Sequence, residues 1–326
     1  MADIVAIGEM IVDFTTISGE NGEIYYKQNA GGAPANVVCM AARLGTTSAI
    51  IGKVGKDIFG EFMKKELSDR GVDIRGVISD DKLLTALAFV RNTEDGSRDF
   101  MFYRKNTADL SLSFFEVDKS IIDACNIFHF GALSLVSEPA KSAAVNAVEY
   151  AKSKGKIISY DPNWRPGLWN SPDEAKKEMR SVLRYVDVIK VSEEELGIVS
   201  DCGNMLPGIA KLLDLGIKVV CVTQGAKGCF IATKKDIETC PAYTVETVDT
   251  LGSGDGFLGA FLHRLNESHK KPEELSSEEL HDMASFANAC GAMISMKKGA
   301  IPAMPDMKEV REFLAKYDDV CEIPGL

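Results

Sequence analysis

The chain has 326 residues, 45% apolar and 26% charged, enough to bury a substantial core in one large domain or two ordinary ones. Its net charge of −11 repels phosphate backbones, so nucleic acid is not expected as a partner. No apolar run is long enough to span a membrane, so no membrane partner is expected either.

In chain order, a strand begins at once at Ile4, without the charged region and cleavage site of a signal peptide. Residues 11–29 and 85–104 are rich in β-formers and have no helix between their runs. The second segment folds back at Thr93-Glu94-Asp95-Gly96, a hairpin turn signal. These two segments predict a small sheet outside the main layer, usable as a flap over a site. Between them, Gly31, Gly32 and Pro34 open a helix carrying Val37, Ala41 and Leu44. From Cys125 onward short apolar runs alternate with amphipathic stretches. Strands are predicted over 127–130, 157–161, 188–191 and 219–223. Helices are predicted over 139–154, 173–185 and 206–215, and a last long one carries Leu280, Met283, Ala287, Cys290 and Ile294. Such alternation argues a parallel sheet covered on both faces. The eight cysteines form no C-x-x-C pair and no zinc spacing, so free thiols in a reducing, cytosolic compartment are expected.

The most informative stretch is Asp249-Thr250-Leu251-Gly252-Ser253-Gly254-Asp255-Gly256-Phe257. A β-type run over 243–248 precedes it, and a helix carrying Phe257, Phe261 and Leu265 follows. Glycines at a helix start let backbone N–H groups converge on an anion, with the helix dipole adding positive potential. Asp255 would be repelled by a bound phosphate unless it had work to do. A carboxylate beside an anion hole suits phosphoryl transfer: it takes the hydroxyl proton while the amides hold the phosphoryl. Read alone, the stretch leaves a helix-capping Asp or a plain glycine turn equally open. A dinucleotide loop fails because Phe257 stands where the last Gly belongs, and no Walker A is present. In the earlier motif the glycine pair allows close approach of a ligand, and Asn36 offers a donor and an acceptor.

Together and in this order, the two motifs resemble the paired signatures of the PfkB (ribokinase-like) carbohydrate kinases, and the resemblance covers essentially the whole chain. Residues 160–169 (Tyr-Asp-Pro-Asn-Trp-Arg-Pro-Gly-Leu-Trp), 31–36 and 298–302 resemble the fructokinase branch. The resemblance implies an α/β fold of three layers, α/β/α, with a mostly parallel central sheet and a small β-sheet lid. It implies one domain over 1–326, the lid being built from segments of about 11–29 and 85–104. It makes Asp255 the catalytic base and the amides of Gly252, Ser253 and Gly254 the anion hole. Asp13, Gly31, Gly32 and Asn36 match the sugar pocket, with Arg104 and Arg165 as further substrate or phosphate contacts. Thr223, Gly225 and Gly228 match the turn beside the nucleotide, and Asn288 a polar position near the adenine. Glu195 matches the acid that organises Mg²⁺ through water; without the resemblance, Glu193, Glu194 and Glu195 read as a solvated helix start. Asp249 and the 298–302 loop lie where K⁺ binds in many members.

There are departures from the family pattern. Ser192 replaces the usual Asn of N-x-x-E, and Leu251, Ser253 and Gly256 replace the commoner Thr, Ala and Ala. The implied reaction is transfer from ATP to a sugar, fructose first, with 2-keto-3-deoxygluconate as the sibling alternative. A non-catalytic sugar- or nucleotide-binding regulator is the rival of a different class. Exposed lid strands pair readily between subunits, which makes a homodimer the expectation.

Overall fold

The computed structural model describes residues 2–19, 21, 23–92 and 98–321. Among these, thirteen strands form two sheets: β1 (Ile4–Ile7), β2 (Ile11–Ser18), β3 (Ile24–Gly31), β4 (Ser48–Gly55), β5 (Val72–Asp80), β6 (Ala86–Asn92), β7 (Arg98–Tyr103), β8 (Ile127–Gly131), β9 (Ile157–Asp161), β10 (Val188–Ser192), β11 (Val219–Thr223), β12 (Cys229–Ala232) and β13 (Ile237–Cys240). The large sheet runs β13-β12-β11-β10-β9-β8-β1-β4-β5. It is parallel from β5 to β11, and β12 and β13 extend it antiparallel. The strand order reverses between β1 and β8, so a crevice opens at the carboxyl ends of these strands, where ligands bind in such sheets.

The period-2 alternation of the strands divides the core in two. Ile4, Ala6, Val188, Val219 and Cys221 face the helices Ala33–Arg43, Ser253–Ser268 and Ser277–Ser295. Val5, Ile7, Ile189, Val191, Val220 and Val222 face the helices Ala140–Ser153, Pro172–Ser181, Glu193–Ser200 and Met205–Asp214. This is the expected α/β/α sandwich. One strand is broken by a charge: Lys190 lies between Ile189 and Val191, both fully buried, on the face that carries Val188.

The small sheet runs β3-β2-β6-β7, so the two β-rich segments do pair as read from the sequence. The Thr93–Gly96 turn lies outside the described residues. Three other expectations are corrected. Residues 243–248 form no strand: the Val248 and Asp249 N–H groups bond the Ser295 carbonyl at a helix end, and Tyr243 packs against Phe313 and Tyr317. The helix Ser277–Ser295 is not the last, since Met307–Cys321 follows it. The helix expected over 173–185 ends at Ser181 and gives way to a 3-10 turn, Leu183–Tyr185.

Candidate active site

The helix Ser253–Ser268 starts from Gly252 in the left-handed region, φ 77°. A Cβ there would stand 2.5 Å from Ala300 Cβ and 2.9 Å from its Cα, so glycine is required by conformation and by space. Asp255 sits in the first turn but caps nothing. Its Oδ2 instead accepts a 2.7 Å hydrogen bond from Asn36 Nδ2. The approach is possible because the two helices touch at Gly259, where a Cβ would meet the Val37 carbonyl oxygen at 2.5 Å. Gly256, an Ala in the commoner pattern, makes room for Ile294, whose Cδ1 would lie 2.1 Å from a Cβ.

Asp255 is buried, and burial raises its carboxyl above the ordinary range. Lys190, the Asn36 hydrogen bond and Arg165 oppose the rise, and Glu195 adds to it. Burial also pushes Asp13 up to about 7, with Arg165 pulling it back and Asp255 adding to the rise. Asp13 stands on β2 opposite Asn29, and its Oδ2 would be 2.2 Å from a Cβ on Gly31. Gly32, at φ 103°, lies against the Glu9 carbonyl. Asp13, Gly31, Asn36, Arg165 and Asp255 are thus brought to one place. Arg165 also reaches the small sheet, with its guanidinium carbon 5.7 Å from the Phe100 ring centroid. Asn36 Oδ1 is buried without a partner, an acceptor that suits a sugar hydroxyl.

Arg104 is anchored in the body beside Glu9, and its Nη1 is buried without a partner. Its side chain is 1% exposed, with Nε 2.6 Å from Asp109 Oδ2 and Nη2 donating to the Leu133 carbonyl. The arginine that ends the β-rich segment 85–104 is drawn into the body by a buried carboxylate five residues on, which a reading of the strand alone does not reveal.

On the other side of Asp255 lies a cavity of about 420 Å³. Thr223, Gly225, Gly228 and Asn288 line it, together with Ser253 and Gly254. Tyr243, Thr244 and Val245, the run that is not a strand, form part of its wall. Asn288 Nδ2 donates to the Cys240 and Pro241 carbonyls, which fixes the wall. Ser253, one of the lining residues, has its Oγ buried without a partner.

Glu195 differs from Glu193 and Glu194, which are exposed. It is 7% exposed, its Oε2 accepts from the Ser192 N–H and its Oε1 from the Trp164 N–H, while Ser192 caps the helix in return. The solvated reading therefore holds for two of the three glutamates. Asp249 Oδ1 accepts from the Leu251 N–H and Oδ2 from the Gly299 N–H, tying the glycine loop before the helix Ser253–Ser268 to the 298–302 loop.

Sequence reasoning passed over Lys190 and Glu9, and gave Asp161 no role of its own. Lys190 Nζ is 2.8 Å from Asp161 Oδ2, and both side chains are buried. Glu9 holds the Ala33 N–H through Oε1, and its other oxygen has no partner. A lysine inside the run Val188-Ile189-Lys190-Val191 was the available signal, because an unpaired charge does not survive there.

The model of the pfkB family carbohydrate kinases matches residues 1–307. The chain belongs to this family. It is 40% identical over 319 residues to fructokinase-2 of Zea mays, covering 96% of this chain and 94% of the relative. Among solved structures, the fructokinase of Vibrio cholerae O395 in its fructose, ADP and calcium ion bound form superposes with a TM-score of 0.88. The identity is 32%, with 96% of this chain and 99% of that chain covered. A ribokinase II of E. coli in complex with ATP and Mg²⁺ gives 0.86 at 30% identity, covering 97% and 100%. The pfkB membership accounts for both signatures at once: each supplies one partner of the Asn36–Asp255 bond.

Proposed function

We propose that the protein transfers the γ-phosphoryl of ATP to a hydroxyl of fructose, the 6-hydroxyl first. The carrying observation is the place of Asp255, between the cavity lined by Ser253 and Gly254 and the group of Asp13, Asn36 and Arg165. A carboxylate there reaches a sugar hydroxyl from one side of an anion hole. Asp255 takes the hydroxyl proton as the oxygen attacks, and burial makes it a stronger base than an exposed Asp. The N–H groups of Gly252 and Gly254 would hold the transferring oxygens at the positive end of the helix, while the Ser253 N–H donates to the Thr250 carbonyl at 3.2 Å. Asp13 accepts from sugar hydroxyls, and Arg165 links the substrate to the lid strand β7.

Mg²⁺ would supply charge neutralisation on the phosphates. Among the described residues no cluster of three or more His, Cys, Asp or Glu is set to hold a metal; a hydrated Mg²⁺, which needs few protein ligands, would fit such a site. Glu195, with both oxygens already bonded to backbone N–H groups, is positioned to orient such waters rather than to bind the ion directly. K⁺ fits the loop pair joined by Asp249 and Gly299, which offers a carboxylate beside irregular backbone.

We read residues 1–326 as one catalytic domain with a lid from the small sheet. Ile24, Tyr25, Tyr26, Met101 and Tyr103 are exposed on that sheet, an apolar surface suited to pairing lids in a homodimer. The seven described cysteines are all free, in keeping with a reducing cytosolic setting. Among the described residues no helix is long and apolar enough to cross a membrane.

A coupled ADP-release assay over a sugar panel tests the substrate. The highest kcat/KM is expected for fructose, with phosphorus NMR placing the phosphate on the 6-hydroxyl. A preference for 2-keto-3-deoxygluconate would replace fructose, and no turnover with any sugar would favour the regulator.

A further inference from the structure

We propose that Lys190 is a further catalytic residue of this transfer: its ammonium, held by Asp161 under the first turn of the helix Ser253–Ser268, supplies a fixed positive charge to the transferring phosphoryl group. The proposal rests on the kinase reading above. It begins with the strand. In β10 the alternation sends Val188 and Lys190 toward the same face, the face covered by Ser253–Ser268. The register Ile189↔Tyr160 places Asp161 beside Lys190 on the adjoining strand, and their side chains meet at 2.8 Å. A Cβ added to Gly254 would stand 3.0 Å from Lys190 Nζ. The amine therefore abuts the last glycine of the anion loop, one residue from the base.

The charges around this point explain why a cation is needed. Lys190 is faced by Asp161 on β9, by Glu195 at the start of the helix Glu193–Ser200, and by Asp255 on Ser253–Ser268. Burial works against its charge, but the three carboxylates outweigh burial and hold it above the ordinary lysine value, so it stays an ammonium. Two further neighbours add no charge. His129 on β8 is driven down to about 3 by burial and by Lys190, and burial holds the Cys221 thiol on β11 protonated. Arg165 offsets Asp255 and Asp13 from the sugar side. A phosphoryl group entering beside three carboxylates would meet net repulsion without Lys190. Preorganised cations of this kind act where charge develops, in a site that excludes water.

The step balances without any proton on or off the lysine. The sugar oxygen–phosphorus bond forms, the bond from the γ-phosphorus to the ADP oxygen breaks, the hydroxyl proton goes to Asp255, and Lys190 remains protonated throughout. A purely structural pair would behave differently, because a buried ion pair can be exchanged for uncharged groups with little loss of stability.

That difference is the test. Lys190→Met, Lys190→Gln and the double variant Asp161→Asn with Lys190→Met are compared with wild type for kcat, both KM values and melting temperature. Removing one such stabilising group costs roughly 10²–10³ in kcat, and that loss is expected in every folded variant, the double included, with both KM values nearly unchanged. Recovery of kcat in the double variant would make Lys190 only the counter-ion of Asp161 and overturn the proposal. A kcat near wild type in Lys190→Met or Lys190→Gln would overturn it as well. Lys190→Gln keeps a hydrogen bond to Asp161 and decides the matter if the methionine variants do not fold. Wild type itself failing to release ADP with any sugar would instead remove the kinase reading on which this rests.

Discussion

Asn36 Nδ2 and Asp255 Oδ2 lie 2.7 Å apart although 219 residues separate them in the chain. The bond favours the ionised carboxylate, against the burial that raises it. Asn36→Ala removes the donor, so the Asp255 carboxyl should rise further. A base works only when ionised, so the acid limb of the kcat/KM profile should move to higher pH, and kcat should fall at neutral pH. An unmoved acid limb would mean that Asn36 does not act on the base.

Asp13 is buried, with its carboxyl pushed up to about 7. A group whose folded pKa is raised binds its proton more tightly in the fold, so its contribution to stability is full below about pH 4 and is lost as pH rises toward 7. Asp13→Asn should therefore raise the melting temperature of the sugar-free protein at pH 8 and change it little at pH 4, where both forms are neutral. The same substitution should raise KM for the sugar by roughly one to two powers of ten per lost bond, leaving KM for ATP alone. A turn-stabilising Asp would give the opposite result, a lower melting temperature with an unchanged sugar KM.

Glu195 holds the N–H groups of Ser192 and Trp164 with separate oxygens. Glu195→Gln leaves one oxygen for two donors, so one buried donor is left without its partner, at a cost of about 1–3 kcal/mol. The half-saturating Mg²⁺ concentration should rise as well, because the charge that orients bound water is gone. Lower stability with an identical Mg²⁺ titration would restrict Glu195 to capping its helix.

Gly252 combines φ 77° with a Cβ position already filled by Ala300. Gly252→Ala should lose stability by more than the ~1–2 kcal/mol of left-handed strain alone, and kcat with it, since the loop cannot keep its shape. A variant as stable and active as wild type would show that the loop tolerates a different path.

The layered fold was legible because period-2 and period-3.6 patterns alternate cleanly after Cys125. The small sheet was legible because its two segments lack helical spacing, and they do pair through β2 and β6. Residues 243–248 misled because β-branched residues there line a cavity instead of a ladder. At the site, Asp255, Asn36 and the glycines were readable from local motifs. The anchoring of Arg104 was not, because it depends on Asp109 across a buried ion pair. The pairing of Lys190 with Asp161 escaped notice because only strand register makes them neighbours. Pairings between distant strands leave little trace in a local sequence window.

The role of Asp255 is tested most directly by the kcat of Asp255→Asn under saturating ATP and sugar, with nucleotide binding measured alongside. The amide keeps the shape and can still contact Asn36, but it cannot take a proton at neutral pH. A fall of about 10²–10⁴ in kcat, with ATP affinity and melting temperature close to wild type or higher, is the expected result. A variant that folds, binds ATP and retains most of its kcat would contradict Asp255 as the base.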